Sequence, residues 1–268
     1  METQPQSPVD VHSCDTAGCY VYCVVPCCLD VRLSVPGIEG HQVYLLSHHD
    51  LGAVVHDCPA RPYYSENSDL VASWVMAHHR VVHTAWERWG TALPLTFNTV
   101  VKGSSQMRAA ETVMRWLENE NDSLRIRLAS LAGKAEYGVQ VFWDTERIVR
   151  GIAESSGEIR NLRSEIESKP RGMAYMYRQR LENLLRRALE ARAESEFKSL
   201  YARTSQCVSN VRADRVKGDD AGRQMLANLS CLVCRDRFPD LQAELDRINK
   251  TEGFSVRLVG PLPPYTFC

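Results

Sequence analysis

Hydrophobic positions along this chain follow two periods in turn, and the switches between them predict the order of elements. "CYVYCVVPC", Cys19 to Cys27, is a nearly unbroken run of apolar, β-branched and aromatic residues, which predicts a buried strand. "HQVYLLSHHDLGAVVHDCP", His41 to Pro59, predicts a strand, a polar turn and a further strand stopped by Pro59. From Asn67 to Trp89 the period changes to helical, through Leu70, Trp74, His78, Val81, Val82 and Ala85. Asn67 or Ser68 serves as the N-cap and Gly90 as the stop. "ALPLTFNTVV", Ala92 to Val101, returns to strand. One helix, capped by Ser104 or Ser105, then runs to Gly133 along Val113, Leu117, Leu124 and Leu128.

The second half opens on a strand, "KAEYGVQVFWD", Lys134 to Asp144, with Asp144 or Thr145 capping a long helical stretch to about Val216. "SKPRGM" interrupts it, because Pro170 and Gly172 disfavour continuous helix. "VKGDDAG", Val216 to Gly222, reads as a loop. A strand (Met225 to Arg235), a helix (Phe238 to Lys250) and a strand (Phe254 to Val259) close the pattern. The fold class is therefore α+β in two domains, antiparallel sheets with packed helices. Residues 19–132 form an N-terminal α+β domain. Residues 133–268 form a ferredoxin-like domain with a helical insertion over about 145–216, and the Pro-rich tail lies docked beside the last strand. Residues 1–18, polar and Pro-containing, are expected to be a disordered leader.

Composition narrows the function classes. Of 268 residues, 44% are hydrophobic and 24% charged, a soluble globular balance. The net charge of -1 gives no electrostatic case for nucleic acid. The longest apolar runs are too short to span a bilayer, and the N-terminus lacks a basic-plus-apolar signal, so a cytoplasmic protein is expected. Ten cysteines without a secretion signal argue against a disulfide framework. Cys231 and Cys234 form a CxxC, but on a strand they face opposite sides and no second ligand pair accompanies them. Cys23, Cys27 and Cys28 surround Pro26 at irregular spacing. Packing is the expected role of these thiols, with metal or redox chemistry the lesser alternative.

Candidate chemistry is sparse. His79 and His83 share a helix face, yet Arg80 stands where a zinc protease carries Glu, and no third ligand is signalled. His48, His49 and Asp50 fall in a turn, where polar residues are expected anyway. There is no phosphate-cradling glycine loop and no nucleophile elbow. No catalytic residue, cofactor or metal is expected. "GMAYMYRQRLENLLRR", Gly172 to Arg187, carries a methionine–tyrosine cluster directly after the helix break. Met173, Tyr175, Met176 and Tyr177 either pack a helix start into the core or form an adaptable contact surface. The ending "GPLPPYTFC", Gly260 to Cys268, offers a similar choice. Pro263 and Pro264 stiffen the tail, so Tyr265 and Phe267 serve either as a staple across the domain or as a partner-facing ledge.

Four segments taken in order resemble the gas vesicle accessory proteins of the F/L family. "YVYCVV" looks like that family's opening strand, and "ALPLTFNTVV" like its Leu-Pro strand. "EYGVQVFWD" with "RGMAYMYRQR" is similar to its central strand and Gly-x-Ala-Tyr helix. "VRLVGPLPPYTF" is similar to its ending, usually Gly-Pro-Trp-Pro-Pro-Tyr-Ser-Phe. Thr96 and Asn98 stand where Arg and Gly are more usual, and Leu262 where Trp is. The resemblance implies two ferredoxin-related α+β domains and a non-enzymatic role in building gas vesicles. It also implies early action in assembly, with binding to the apolar major shell protein and to other accessory proteins. The competing readings are an enzyme with a dispersed active site and a helical scaffold. Tyr175, Met176, Tyr177, Tyr265 and Phe267 are the candidate partner contacts; neither nucleic acid nor membrane is expected as a partner.

Overall fold

The structure is a computed structural model that describes residues 17–26, 32–216 and 223–268. The leader up to residue 16, Cys27 and Cys28, and the loop beyond Val216 lie outside the described residues. The chain divides into two compact units, Met1–Ala132 with Cys268, and Gly133–Phe267.

In the first unit β1 (Ala17–Pro26) starts two residues ahead of the predicted strand and is buried along nearly its whole length. It pairs antiparallel with β4 (Leu51–Pro59) on one side and with β5 (Leu93–Pro94) and β6 (Val100–Lys102) on the other. β3 (Gln42–His48) extends the sheet from β4, and β2 (Arg32–Pro36), a strand the pattern does not predict, forms its edge. The central place of β1 explains its continuous apolar run. α1 (Ser68–Trp89), α2 (Ala109–Asn119) and α3 (Asn121–Leu131) all pack on it.

α1 has the predicted ends. The Asn67 side chain accepts from the amides of Asp69 (2.9 Å) and Leu70 (3.3 Å), and Gly90 closes the helix at φ +74°. Two predictions fail nearby. Residues 92–101 are not one strand, because Pro94 has no amide to continue the ladder and the chain turns at Thr96–Thr99 with Asn98 at φ +72°. The single helix from Ser104 to Gly133 is two. Arg108 and Glu111 form the first cap, with the Arg108 amide donating to the Glu111 carboxylate (2.9 Å), while Ser104 caps only a turn. The polar run "ENEND", Glu118 to Asp122, then breaks the helix at Glu120.

The second unit has the strand–helix–strand–strand–helix–strand order of a ferredoxin-like sandwich. Its sheet runs β10 (Phe254–Leu262), β7 (Lys134–Asp144), β9 (Arg223–Cys234), β8 (Asn210–Ala213), all neighbours antiparallel. β8 lies inside the stretch predicted as helix and completes the topology. It is short and mostly exposed, so no apolar alternation announces it. Between β7 and β8 run α4 (Thr145–Ser155), α5 (Gly157–Ser168) and α6 (Arg171–Cys207). Asp144 caps α4, Ser156 makes an unpredicted break and caps α5, and Pro170 precedes α6. α6, at 37 residues, is about 55 Å long. α7 (Phe238–Lys250) packs on β10 and on α6.

Candidate functional site

The partner-facing candidates fall on two elements. Tyr175, Met176 and Tyr177 lie in the first turns of α6, where Pro170 and the helix period set their directions. Ala174 points inward and is buried, while Met173, Tyr175 and Met176 are 49%, 62% and 71% exposed. Tyr177 is half-buried, with the Lys169 ammonium 5.8 Å from its ring centre. Gln179 donates to the Tyr175 hydroxyl (2.9 Å), one helical turn away. The cluster is thus mostly an outward surface; only Ala174 and part of Tyr177 pack as a helix start does.

Tyr265 and Phe267 sit in a 3-10 turn after β10, half-buried, with Pro263 and Pro264 buried before them. The anchor is between them in sequence. Thr266 donates through its amide (2.8 Å) and its hydroxyl (2.5 Å) to the two carboxylate oxygens of Glu136, a buried acid on β7. Arg212 of β8 donates to the Thr266 carbonyl, and its guanidinium lies 5.4 Å from the centre of the Phe267 ring. Gly260 explains the Gly-Pro start of the ending. Its φ is +134°, and a Cβ there would lie 2.9 Å from the Glu136 carbonyl oxygen. Thr266, Glu136 and Arg212 are absent from the sequence-based candidates, because a single buried acid on a strand carries no local pattern.

The first unit holds a buried polar network. Tyr20 on β1 bonds the His78 ring of α1 (2.9 Å) and accepts from the Asn98 amide (3.1 Å). The Asn98 side chain accepts from the Tyr63 amide (2.8 Å) and donates to the Tyr63 carbonyl (3.0 Å), and the Tyr63 hydroxyl meets His56 (2.9 Å). Asn98 therefore does more than tolerate a left-handed backbone; its side chain ties two loops together. Burial pulls His56 down to about 3, with the neighbouring His41 adding to it, and pulls His78 down to about 4, with His79 adding. Both rings are neutral at pH 7 and closed to solvent.

The thiols point the same way. Burial raises Cys19 and Cys231 to about 12 and Cys58 to about 11, so none is a thiolate nucleophile near neutrality. Cys234 is half-buried beside the Ser209 hydroxyl (3.3 Å). His83 pairs with Glu87 (3.4 Å), and His48 and His49 stack edge to face. Among the described residues no three His, Cys, Asp or Glu side chains gather at metal-binding distance, and no helix is long and apolar enough to cross a membrane. A hollow of about 430 Å³ is lined by Cys58, Tyr63, Tyr64 and Trp74, but burial moves both Cys58 and Tyr63 away from ionisation at pH 7. A groove of about 550 Å³ in the second unit is lined by Arg147, Arg150, Glu154, Arg192 and Glu252, and Arg147 is already paired with Glu252. Among the described residues His56 and His78 lie in a closed core, and the Met173–Tyr175–Met176 cluster is exposed.

Comparison with known proteins finds relatives that match nearly the whole chain. The model of the family described as gas vesicle synthesis protein GvpL/GvpF matches residues 18–268. Gas vesicle protein L1 of Halobacterium salinarum is 31% identical over 266 residues, covering 93% of this chain and 90% of that protein. Gas vesicle protein F of a Streptomyces species is 29% identical over 228 residues, covering 84% and 87%. The crystal structure of GvpF from Anabaena sp. PCC7120 shares the fold at a TM-score of 0.73 and 21% identity, covering 94% of this chain and 98% of that one.

Proposed function

The chain belongs to the gas vesicle synthesis protein GvpL/GvpF family, and on that premise we propose that it is a non-enzymatic, cytoplasmic assembly factor. It binds the apolar major subunit of the vesicle shell, and other accessory proteins, early in shell formation. The observation that carries this reading is the exposed Met173–Tyr175–Met176 surface at the start of α6. Methionine and tyrosine adapt to varied apolar shapes, and isolated on a charged helix they have no packing duty of their own. A shell subunit with unpaired apolar strands aggregates unless its edges are covered. A binder that presents a small apolar surface holds such a subunit in solution and releases it to a growing shell.

Tyr175 and Met176 are assigned to the contact, with Tyr177 supporting them from the helix flank. Tyr265 and Phe267 are assigned to stapling the tail, since Thr266 between them is bound to Glu136. Co-expression with the major shell protein, followed by size-exclusion chromatography of the soluble fraction, tests the assignment. Co-elution with a soluble shell protein is expected. A shell protein that still aggregates while this chain elutes alone rules out direct capture.

A further inference from the structure

Beyond the apolar cluster, the same helix carries a row of four arginines, none of which has an ion pair among the described residues. Between Met173 and Arg187 lie Arg178, Arg180, Arg186 and Arg187 against one acid, Glu182, in a chain whose net charge is -1. All four guanidinium-bearing residues are exposed or half-buried. Among the described residues Arg186 donates to the Asn183 side-chain oxygen (3.1 Å), and no ion pair engages Arg178, Arg180 or Arg187. Further along α6 the pattern is different: Arg192 pairs with Glu196 (2.6 Å), Lys198 with Glu194 (2.5 Å) and Arg203 with Glu244 (2.6 Å). Five charged residues of the distal half are paired, whereas Arg178, Arg180 and Arg187 in the proximal half are not, among the described residues.

Helix geometry aligns the open charges with the apolar cluster. Met173, Met176, Arg180 and Arg187 are spaced three, four and seven apart, so they share one face, with Tyr175 and Gln179 on the adjoining strip. Ala174 is buried and Leu181 half-buried on the flank, each one residue on from Met173 and Arg180, and Leu184 is half-buried at the edge of the row, so the packed side of the helix borders this face. The row spans about 21 Å, four turns of helix. We propose that this face of α6 docks an acidic amphipathic helix of a partner protein: apolar side chains of that helix meet Met173, Tyr175 and Met176, and its carboxylates meet Arg180 and Arg187. The proposal rests on the assembly-factor reading for the identity of the partner, but not for the chemistry of the surface.

Each part of the surface selects that occupant. Anchors at three-four-seven spacing match a helix laid alongside, not an extended strand. Guanidinium groups donate paired hydrogen bonds to carboxylates, which gives register as well as charge. An anionic membrane is the poorer fit, because two methionines and one tyrosine supply little area to bury in lipid, and Glu182 sits among the arginines.

The test uses the full chain and a fluorescein-labelled four-turn Leu/Glu amphipathic peptide, with a Leu/Lys peptide and phosphatidylserine vesicles as comparators. The wild type is expected to bind the Leu/Glu peptide, more weakly as salt rises, and to ignore the Leu/Lys peptide. Arg180→Glu/Arg187→Glu is expected to lose about tenfold in affinity for it. The same variant gains affinity for the Leu/Lys peptide, with an unchanged melting temperature. Equal binding of both peptides by the wild type, a variant that binds like the wild type, or binding of vesicles in place of the peptide overturns the proposal. Because the probe is a defined peptide, these outcomes are independent of whether the shell protein co-elutes.

Discussion

The two units of this chain solve opposite problems. The first is closed around β1, whose tyrosines spend their hydroxyls inside the protein on His78, Asn98 and the amide of Ile38. The second has an equally dry strand core around Trp143 and Val139, yet sends out a helical arm that keeps methionine, tyrosine and arginine in water. All eight histidines lie at or before His83, and the second unit has none. The contrast teaches where to look for function. In the first unit Tyr20, Tyr22, His78 and Asn98 find partners inside the fold, although the buried atoms His56 Nδ1, Trp74 Nε1 and Thr91 Oγ1 have none among the described residues. The proximal half of α6 instead holds its methionines and arginines exposed, with no ion pair on Arg178, Arg180 or Arg187 among the described residues.

Acid separates the units most strongly. His56 and His78 are neutral in the folded state, held near 3 and 4, while the unfolded chain titrates near 6.5 and takes up protons that the fold refuses. Their contribution is therefore complete above pH 6.5 and lost as pH falls toward 4. At pH 5 the two together cost about 4 kcal/mol. Urea denaturation at pH 7 and pH 5, followed by fluorescence and by exchange of unit-specific amides, should show the first unit weakening and the second nearly unchanged. A parallel loss in both units breaks the comparison.

Gly260→Ala strikes the other side. The new Cβ meets the Glu136 carbonyl and the Tyr137 ring at a φ that L residues rarely adopt. The expected loss is about 3 kcal/mol, confined to the second unit and visible as a lower melting transition. Tyr20→Phe is the smaller counterpart in the first unit. It removes an acceptor from the Asn98 amide and a partner from His78, for about 2 kcal/mol. It should leave exchange in β7 and β9 as it was.

Legibility in the sequence followed periodicity. α1 and α7 carry regular helical stripes, α1 with an Asn67 cap and a Gly90 stop, and both have the predicted ends. β8 is four residues, mostly exposed, and followed a helix without a Gly or Pro, so its strand character comes only from pairing with β9. The break at Glu120 came from a polar run with nothing to pack, which a stripe interpolated across the gap conceals. The methionine–tyrosine cluster was visible because it is dense. The arginine row beside it looked like any mixed-charge helix, since only coordinates reveal which charges already have partners. The tail anchor was hidden for a related reason: Glu136 and Thr266 are 130 positions apart and meet only through the sheet.

The central claim is that partners are met by the proximal face of α6 while the first unit stays closed. Hydrogen–deuterium exchange of the full chain, alone and in complex with the co-expressed shell protein, reads both at once. New protection across Met173 to Arg187, with β1 and β4 unchanged, is the predicted result. Protection that appears in the first unit and leaves α6 as exposed as before contradicts it.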